Sequence, residues 1–294
     1  MKPRFSHTKT AGFTLVEIMV AGAISGAVGI AVFGFLNAGM FLTAKNLSLN
    51  LTSNQMRTSL DRVEQVLQQG DSNPVLIDTT GATVTGAAAA GVKLDRFVGG
   101  PWVVTTTGGT VAANVTSLTL TRSTNAIASP PVPAAGDIIR IDSTAATLRP
   151  RVNAGPTANT VDNTAQRNTV TMPLTSALGT AVTSSGPLTA KIIRPVAFIV
   201  MPSGSKWELR YYPLFDSTTV LNDKNYYTVI TDQLATQSAD VTPFSLVDIS
   251  GENFVNFSLR VRASNSDNRL RNKQSDEYNT FSRVDSFIRP KVNP

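Results

Sequence analysis

Glu17 stands alone at the head of a stretch, Ile18 to Leu36, that carries no charged residue. An ionised carboxylate near the centre of a membrane helix costs about 2.5–3.5 kcal/mol, and less near its end. A carboxylate kept at such a place is read as functional. The chemistry open to it is ion pairing, because a carboxylate withdrawn from water needs an opposite charge. The segment before it, Met1–Gly12, holds Lys2, Arg4, His7 and Lys9 and no acid. A basic flank followed by an uncharged apolar run of this length predicts a membrane-crossing helix. Its basic end should stay on the cytoplasmic side.

Other site chemistry is narrowly bounded. The chain has no cysteine, and its one histidine is His7, in the basic leader. Beyond the leader, zinc sites built on Cys or His and histidine triads are therefore excluded. Carboxylate chemistry, a serine–lysine pair or an oxygen-ligand calcium site would remain. The spacing of an EF-hand loop is absent. The stretches Asn222–Asn225 and Asn265–Asn268 offer oxygen ligands but read as polar turns. No catalytic constellation emerges in Asp78–Pro294, so no enzyme, cofactor or metal is expected. A domain of this size can bury enough core to fold without disulfides.

The formal charge is +6, and loss of Lys2, Arg4 and Lys9 with the leader would halve it. Nucleic-acid binding calls for a clustered basic patch with aromatics for stacking. Arg260, Arg262, Arg269, Arg271 and Lys273 come nearest, but Asp267, Asp276 and Glu277 interrupt or flank them. Tyr226 and Tyr227 beside Lys224 are too few to form a stacking platform. Nucleic acid is not an expected partner.

The elements around Glu17 follow from pattern. No proline occurs between Phe13 and Asn73. The apolar run thus continues into the polar stretch Thr43–Gln69, where Met56, Leu60, Val63 and Leu67 recur at helical spacing. Gly70 and Pro74 supply a stop. A continuous helix from Phe13 to Gln69 would be about 85 Å long. Gly22 and Gly26 form a small-xxx-small pair, a place where helices approach closely in apolar surroundings. Generic glycine enrichment in membrane helices accounts for the pair as well.

Beyond Gln69 the signals are those of short strands. Trp102–Thr107, Val115–Arg122 and Asp137–Asp142 are strand candidates, while Thr79–Gly91, Ser123–Gly136 and Arg149–Gln166 read as loops. Ile192–Tyr212 reads as a hairpin turning at Pro202-Ser203-Gly204-Ser205. Pro195 is expected at an edge or at a strand start. Val255, Phe257, Leu259 and Val261 alternate with polar residues as in a strand with one buried face. Asn265–Thr280 reads as a charged loop and Val284–Ile288 as a last strand. The expected fold class is α+β: a long N-terminal helix, transmembrane in its first half and amphipathic in its second, packed on a β-rich C-terminal domain. The expected division is a leader at 1–12, the helix at 13–70 and the globular domain at 71–294.

The run Gly12-Phe13-Thr14-Leu15-Val16-Glu17 with the apolar helix behind it resembles the type IV pilin superfamily, which includes the pseudopilins of type II secretion. A plain secretory signal has an apolar core of only 7–15 residues. Ala21-Gly22-Ala23 imitates a signal cleavage site, but the apolar run continues past it. A plain anchor helix would not call for glycine, phenylalanine and glutamate at these positions. The resemblance implies cleavage between Gly12 and Phe13 by a prepilin peptidase, N-methylation of Phe13, and a Glu17 that sets register against a neighbour's amine. It also implies other pilin or pseudopilin subunits and an inner-membrane assembly platform as partners. The implied locations are the bacterial inner membrane, with the C-terminal domain outside the cytoplasm, and then a periplasmic or cell-surface filament. Size and layout resemble the larger minor subunits, at or near a tip. The missing cysteines depart from the C-terminal disulfide loop of many major pilins. A major pilin, or an exported binding module or enzyme tethered by one helix, remains the alternative.

Overall fold

A computed structural model describes residues 14–71, 73–123, 132–143, 147–204, 206–232, 234, 242–249, 252–262 and 281–288. The chain is one long N-terminal helix followed by a β-rich domain of antiparallel sheets, an α+β architecture. Its described residues divide into two compact units, one holding the helix up to 51 and the other the described residues from 52 onward. The dividing point falls inside the helix.

Helix α1 runs Leu15–Gln68 without interruption. In its first unit the large apolar side chains point in every direction, and Leu15, Ile18, Ile24, Phe33 and Leu36 are each more than half exposed. Leu15–Ala44 is long and apolar enough to cross a membrane by length and composition. In the second unit the same helix carries a stripe. Met56, Val63, Val66 and Leu67 are buried and Leu60 is partly buried, all in one cluster with Val92, Val196, Phe198 and Tyr211. Ser59 is buried among them, and its hydroxyl donates to the Gln55 carbonyl at 2.7 Å. That back-bond satisfies a polar group that would otherwise be costly to bury. At the helix end Gln69 N donates to Val66 O and Gly70 N to Leu67 O, a tightened last turn.

The strands are β1 (Val75–Ile77), β2 (Gly91–Val104), β3 (Thr110–Val111), β4 (Ser117–Ser123), β5 (Ile138–Asp142), β6 (Thr147–Leu148), β7 (Ala158–Asp162) and β8 (Arg167–Pro173). They continue with β9 (Val182–Thr183), β10 (Thr189–Ser203), β11 (Lys206–Tyr212), β12 (Thr228–Thr231), β13 (Phe244–Ile249), β14 (Glu252–Arg262) and β15 (Phe281–Ile288). Among the described residues a ten-stranded sheet runs β12-β11-β10-β2-β4-β8-β7, with β1, β5 and β6 attached beside it. A three-stranded sheet β13-β14-β15 and a two-stranded pair β3-β9 complete the set.

Strand β10 is the spine. Its side chains alternate between two apolar layers, as the period of a strand requires. Val196, Phe198 and Val200 join the cluster that holds the helix stripe, while Ala197, Ile199 and Met201 face Ile77 and Tyr212. Farther along the sheet, Ala190 and Ile192 sit with Trp102, Leu120, Ile139 and Val170 in a third cluster. Gly91 is required by close approach, because a Cβ there would lie 2.6 Å from Phe198 O.

The hairpin over Ile192–Tyr212 is present, with Ser203 opposite Lys206 and Gly204 at φ 62°. Glycine takes that conformation without steric cost. The alternation at Val255–Val261 also forms a strand, β14. Three expectations need correction. Pro195 lies inside β10, not at its start or on an edge strand. It is tolerated because β10 is flanked by β5 only to Ile193 and by β11 only from Ala197, so the missing N–H falls in the gap. Pro195 O accepts from Phe215 N at 2.7 Å. Second, Arg149–Gln166 is not all loop, since β7 lies within it and pairs with β8 through Thr160↔Thr169. Its pattern is silent because every β7 side chain is exposed. Third, β2 begins at Gly91, eleven residues before the expected Trp102. Expectations on Asn265–Thr280 lie outside the described residues.

Candidate functional site

Gly12 and Phe13 lie outside the described residues. The first described group is Thr14, and it explains how the helix begins. Thr14 N donates to Glu17 Oε2 at 2.9 Å, and its hydroxyl donates to the same oxygen at 3.0 Å. In return Glu17 N donates to Thr14 Oγ1 at 3.3 Å. This is a reciprocal capping box. The N-cap threonine and the glutamate at the third helical position each satisfy a backbone N–H that the helix leaves unpaired. The carboxylate also lies at the positive end of the helix dipole, where a negative charge is favourable.

The box was legible as Thr-x-x-Glu before an apolar run. Glu17 thus has a local structural role whatever else it does. The residue is exposed within the chain.

Gly22 and Gly26 lie four residues apart on the same helix, so they share a face. A Cβ added at either would meet nothing within 4 Å. Packing against the described residues therefore requires neither glycine. The structure places Glu17, Gly22 and Gly26 along one helix, and the glutamate's partner among the described residues is Thr14.

The other residue groups weighed for chemistry resolve into turns. Asn222 Oδ1 accepts from Arg210 at 3.2 Å, and Asp223 Oδ1 accepts from Asn225 N at 2.9 Å. The Asn222–Asn225 stretch is thus a polar turn in which Asn222 Oδ1 and Asp223 Oδ1 are engaged within the protein. Tyr227 lies under the Arg210 guanidinium, whose carbon is 4.2 Å from the ring centroid. Among the described residues no cluster of His, Cys, Asp and Glu could hold a metal.

The charges of the domain are dominated by arginine–aspartate pairs joining distant segments. Arg194 grips the fully buried Asp137 through two bonds of 2.6 and 3.0 Å. Arg140 binds the buried Asp71 at 2.9 Å, just past the helix end. Arg151 meets Asp216 at 2.5 Å. Burial pushes Asp216 up, but bonds from the Thr218 hydroxyl and amide, with help from Arg151 and Thr219, outweigh it and hold the carboxyl below its ordinary value. The Arg194 guanidinium is held above its ordinary value by its bonds to Asp137, against the opposing effect of burial. The two-point geometry is what arginine supplies and lysine does not.

In comparisons with known proteins, no family model, no curated protein and no solved structure matches the chain.

Proposed function

We propose that this chain is a structural subunit of a type IV pilus or a type II secretion pseudopilus. It is made as a precursor, cut between Gly12 and Phe13 by a prepilin peptidase, methylated on Phe13 and assembled through its helix. Before assembly the helix anchors it in the inner membrane, with the β-rich domain outside the cytoplasm. The observation that carries the reading is the helix itself. It is apolar on all sides and largely exposed over Leu15–Ala44, and it is headed by a single carboxylate. A helix that is apolar all round needs lipid or other helices around it. In a filament both are supplied, and Gly22 and Gly26 let neighbours approach. The large β-rich domain suits a minor or tip subunit better than one repeated throughout a filament.

Both bonds from Thr14 end on Glu17 Oε2, which leaves Oε1 for the methylated amine of a neighbour. The capping box also favours a second reading, in which the helix is only a tether and Glu17 only caps it.

Mass spectrometry of the membrane-extracted protein tests the first reading. A mature chain that begins with methylated Phe13 supports it, and any other mature N-terminus overturns it. Gly12→Leu should leave the precursor uncut. Two substitutions then separate the roles of Glu17. Glu17→Gln keeps the capping box and removes the charge, whereas Glu17→Ala removes both. Loss of filament incorporation in Glu17→Gln, with membrane insertion intact, supports the register role. Normal incorporation of Glu17→Gln leaves Glu17 as a cap.

A further inference from the structure

Pro195, in the gap between the reaches of β5 and β11, lines a cleft of about 660 Å3. That volume lies within the range of small-molecule sites, about 300–1,000 Å3. Its walls converge from well-separated parts of the chain, among them Lys93 and Asp95 of β2, Arg151, Pro195, Phe215 and Asp216.

The cleft's charges are fixed in an uneven way. The Asp216 side chain is 6% exposed and is held by Arg151 and by the Thr218 amide and hydroxyl, at 2.8 and 2.6 Å. Asp95 is paired with Arg149. Each carboxylate therefore has its own guanidinium. Lys93 differs. Its ammonium donates to the Thr83 hydroxyl at 3.2 Å and forms no ion pair among the described residues. The cleft thus keeps one positive charge without an ion pair among the described residues, beside the Arg151–Asp216 pair and a carboxylate, Asp95, paired to Arg149. Phe215 adds a half-buried ring, set edge-on to Tyr212 with centroids 5.7 Å apart.

We propose that this cleft binds an acidic saccharide, a pyranose ring bearing a single carboxylate. Arg151 and Asp216 line the cleft as a donor and an acceptor side by side, with the Asp95 carboxylate beside them, the arrangement that neighbouring ring hydroxyls require. The Phe215 ring offers an apolar surface to the C–H groups of a sugar. Lys93 supplies the counter-charge for the carboxylate. A small inorganic anion would use Lys93 alone and leave the paired groups without a role. The assignment stands apart from the filament reading, because the cleft lies wholly within 52–264 and uses no residue of the apolar helix segment.

Saturation-transfer NMR on the full chain in a zwitterionic, sugar-free detergent tests it, with galacturonate and galactose as probes and inorganic phosphate as competitor. Galacturonate should receive saturation at lower concentration than galactose. Lys93→Met should weaken galacturonate about fivefold, the scale of one exposed ion pair, and leave galactose unchanged. Ser217→Trp, at an exposed lining position, should abolish transfer to both, and Ala82→Trp serves if the first variant fails to fold. Matching thermal unfolding of variant and parent confirms that the fold is kept. The assignment is overturned by no transfer to galacturonate, by equal binding of the two sugars, by undiminished transfer in the tryptophan variants, or by displacement with equimolar phosphate.

Discussion

Two stretches of one helix obey different rules. Over Leu15–Ala44 the sequence is apolar in almost every direction, and most of its large side chains are more than half exposed. Over Thr52–Gln68 apolar residues recur on one face only, and that face is buried with the sheet's own core. The backbone does not mark the change, since helix geometry is continuous through it. The lesson is that continuity of secondary structure does not imply continuity of environment. The periodicity of the side chains sets which solvent each stretch needs, and a strict one-face stripe predicts a protein core where an all-round apolar surface predicts lipid or other helices.

The sharpest way to break this contrast is to cut the helix on either side of the stripe. A chain beginning at Lys45 should be monomeric in water, with a cooperative melt and a β-rich circular dichroism spectrum. A chain beginning at Gly70 should aggregate or melt far lower. Met56, Val63 and Leu67 are each buried at about 1.5–3 kcal/mol apiece, against a whole margin of about 5–15 kcal/mol. Equal stability of the two chains would show that the stripe belongs to an assembly surface.

Single substitutions test the same contrast at smaller scale. Leu67→Ala should cost about 2–5 kcal/mol in urea unfolding, the range for a buried leucine. Ile30→Ala, at a side chain 77% exposed, should change domain stability by less than about 0.5 kcal/mol. A large loss at Ile30 would mean that the first stretch is part of the domain's core after all.

The smallest expected effect concerns pH. Asp216 is held below its ordinary value in the folded chain. Its contribution to stability is therefore present above the ordinary carboxylate range and is lost as pH falls through the lowered value. The urea midpoint should fall more between pH 7 and pH 3 in the parent protein than in Asp216→Asn. An equal fall in both would mean that the Arg151–Asp216 pair adds nothing to the domain.

Much of the fold was readable because its cues are local. The absence of proline from Phe13 to Asn73 gave the helix, the spacing of Met56, Leu60, Val63 and Leu67 gave its buried face, and Gly204 between two alternating runs gave the β10–β11 hairpin. Strand β7 was not readable, because it hydrogen-bonds to β8 while both its faces stay in water, and alternation records burial, not pairing. The capping box at Thr14 and Glu17 was present in the sequence but was outweighed by the charge argument. The cleft at Pro195 had no sequence signal of any kind. Its residues lie on segments as far apart as Lys93, Arg151 and Asp216, and each alone reads as an ordinary surface charge.

The sequence by itself determined the helix, its change of pattern from apolar all round to one apolar face, and the class of the domain, because these depend on residues close together in the chain. Which strands neighbour one another, where a strand can hold a proline, and which arginine meets which aspartate were decided only in three dimensions. Those contacts join residues tens of positions apart, such as Asp71 with Arg140 and Asp137 with Arg194. No local pattern encodes such a pairing, because its geometry exists only once the intervening chain has folded.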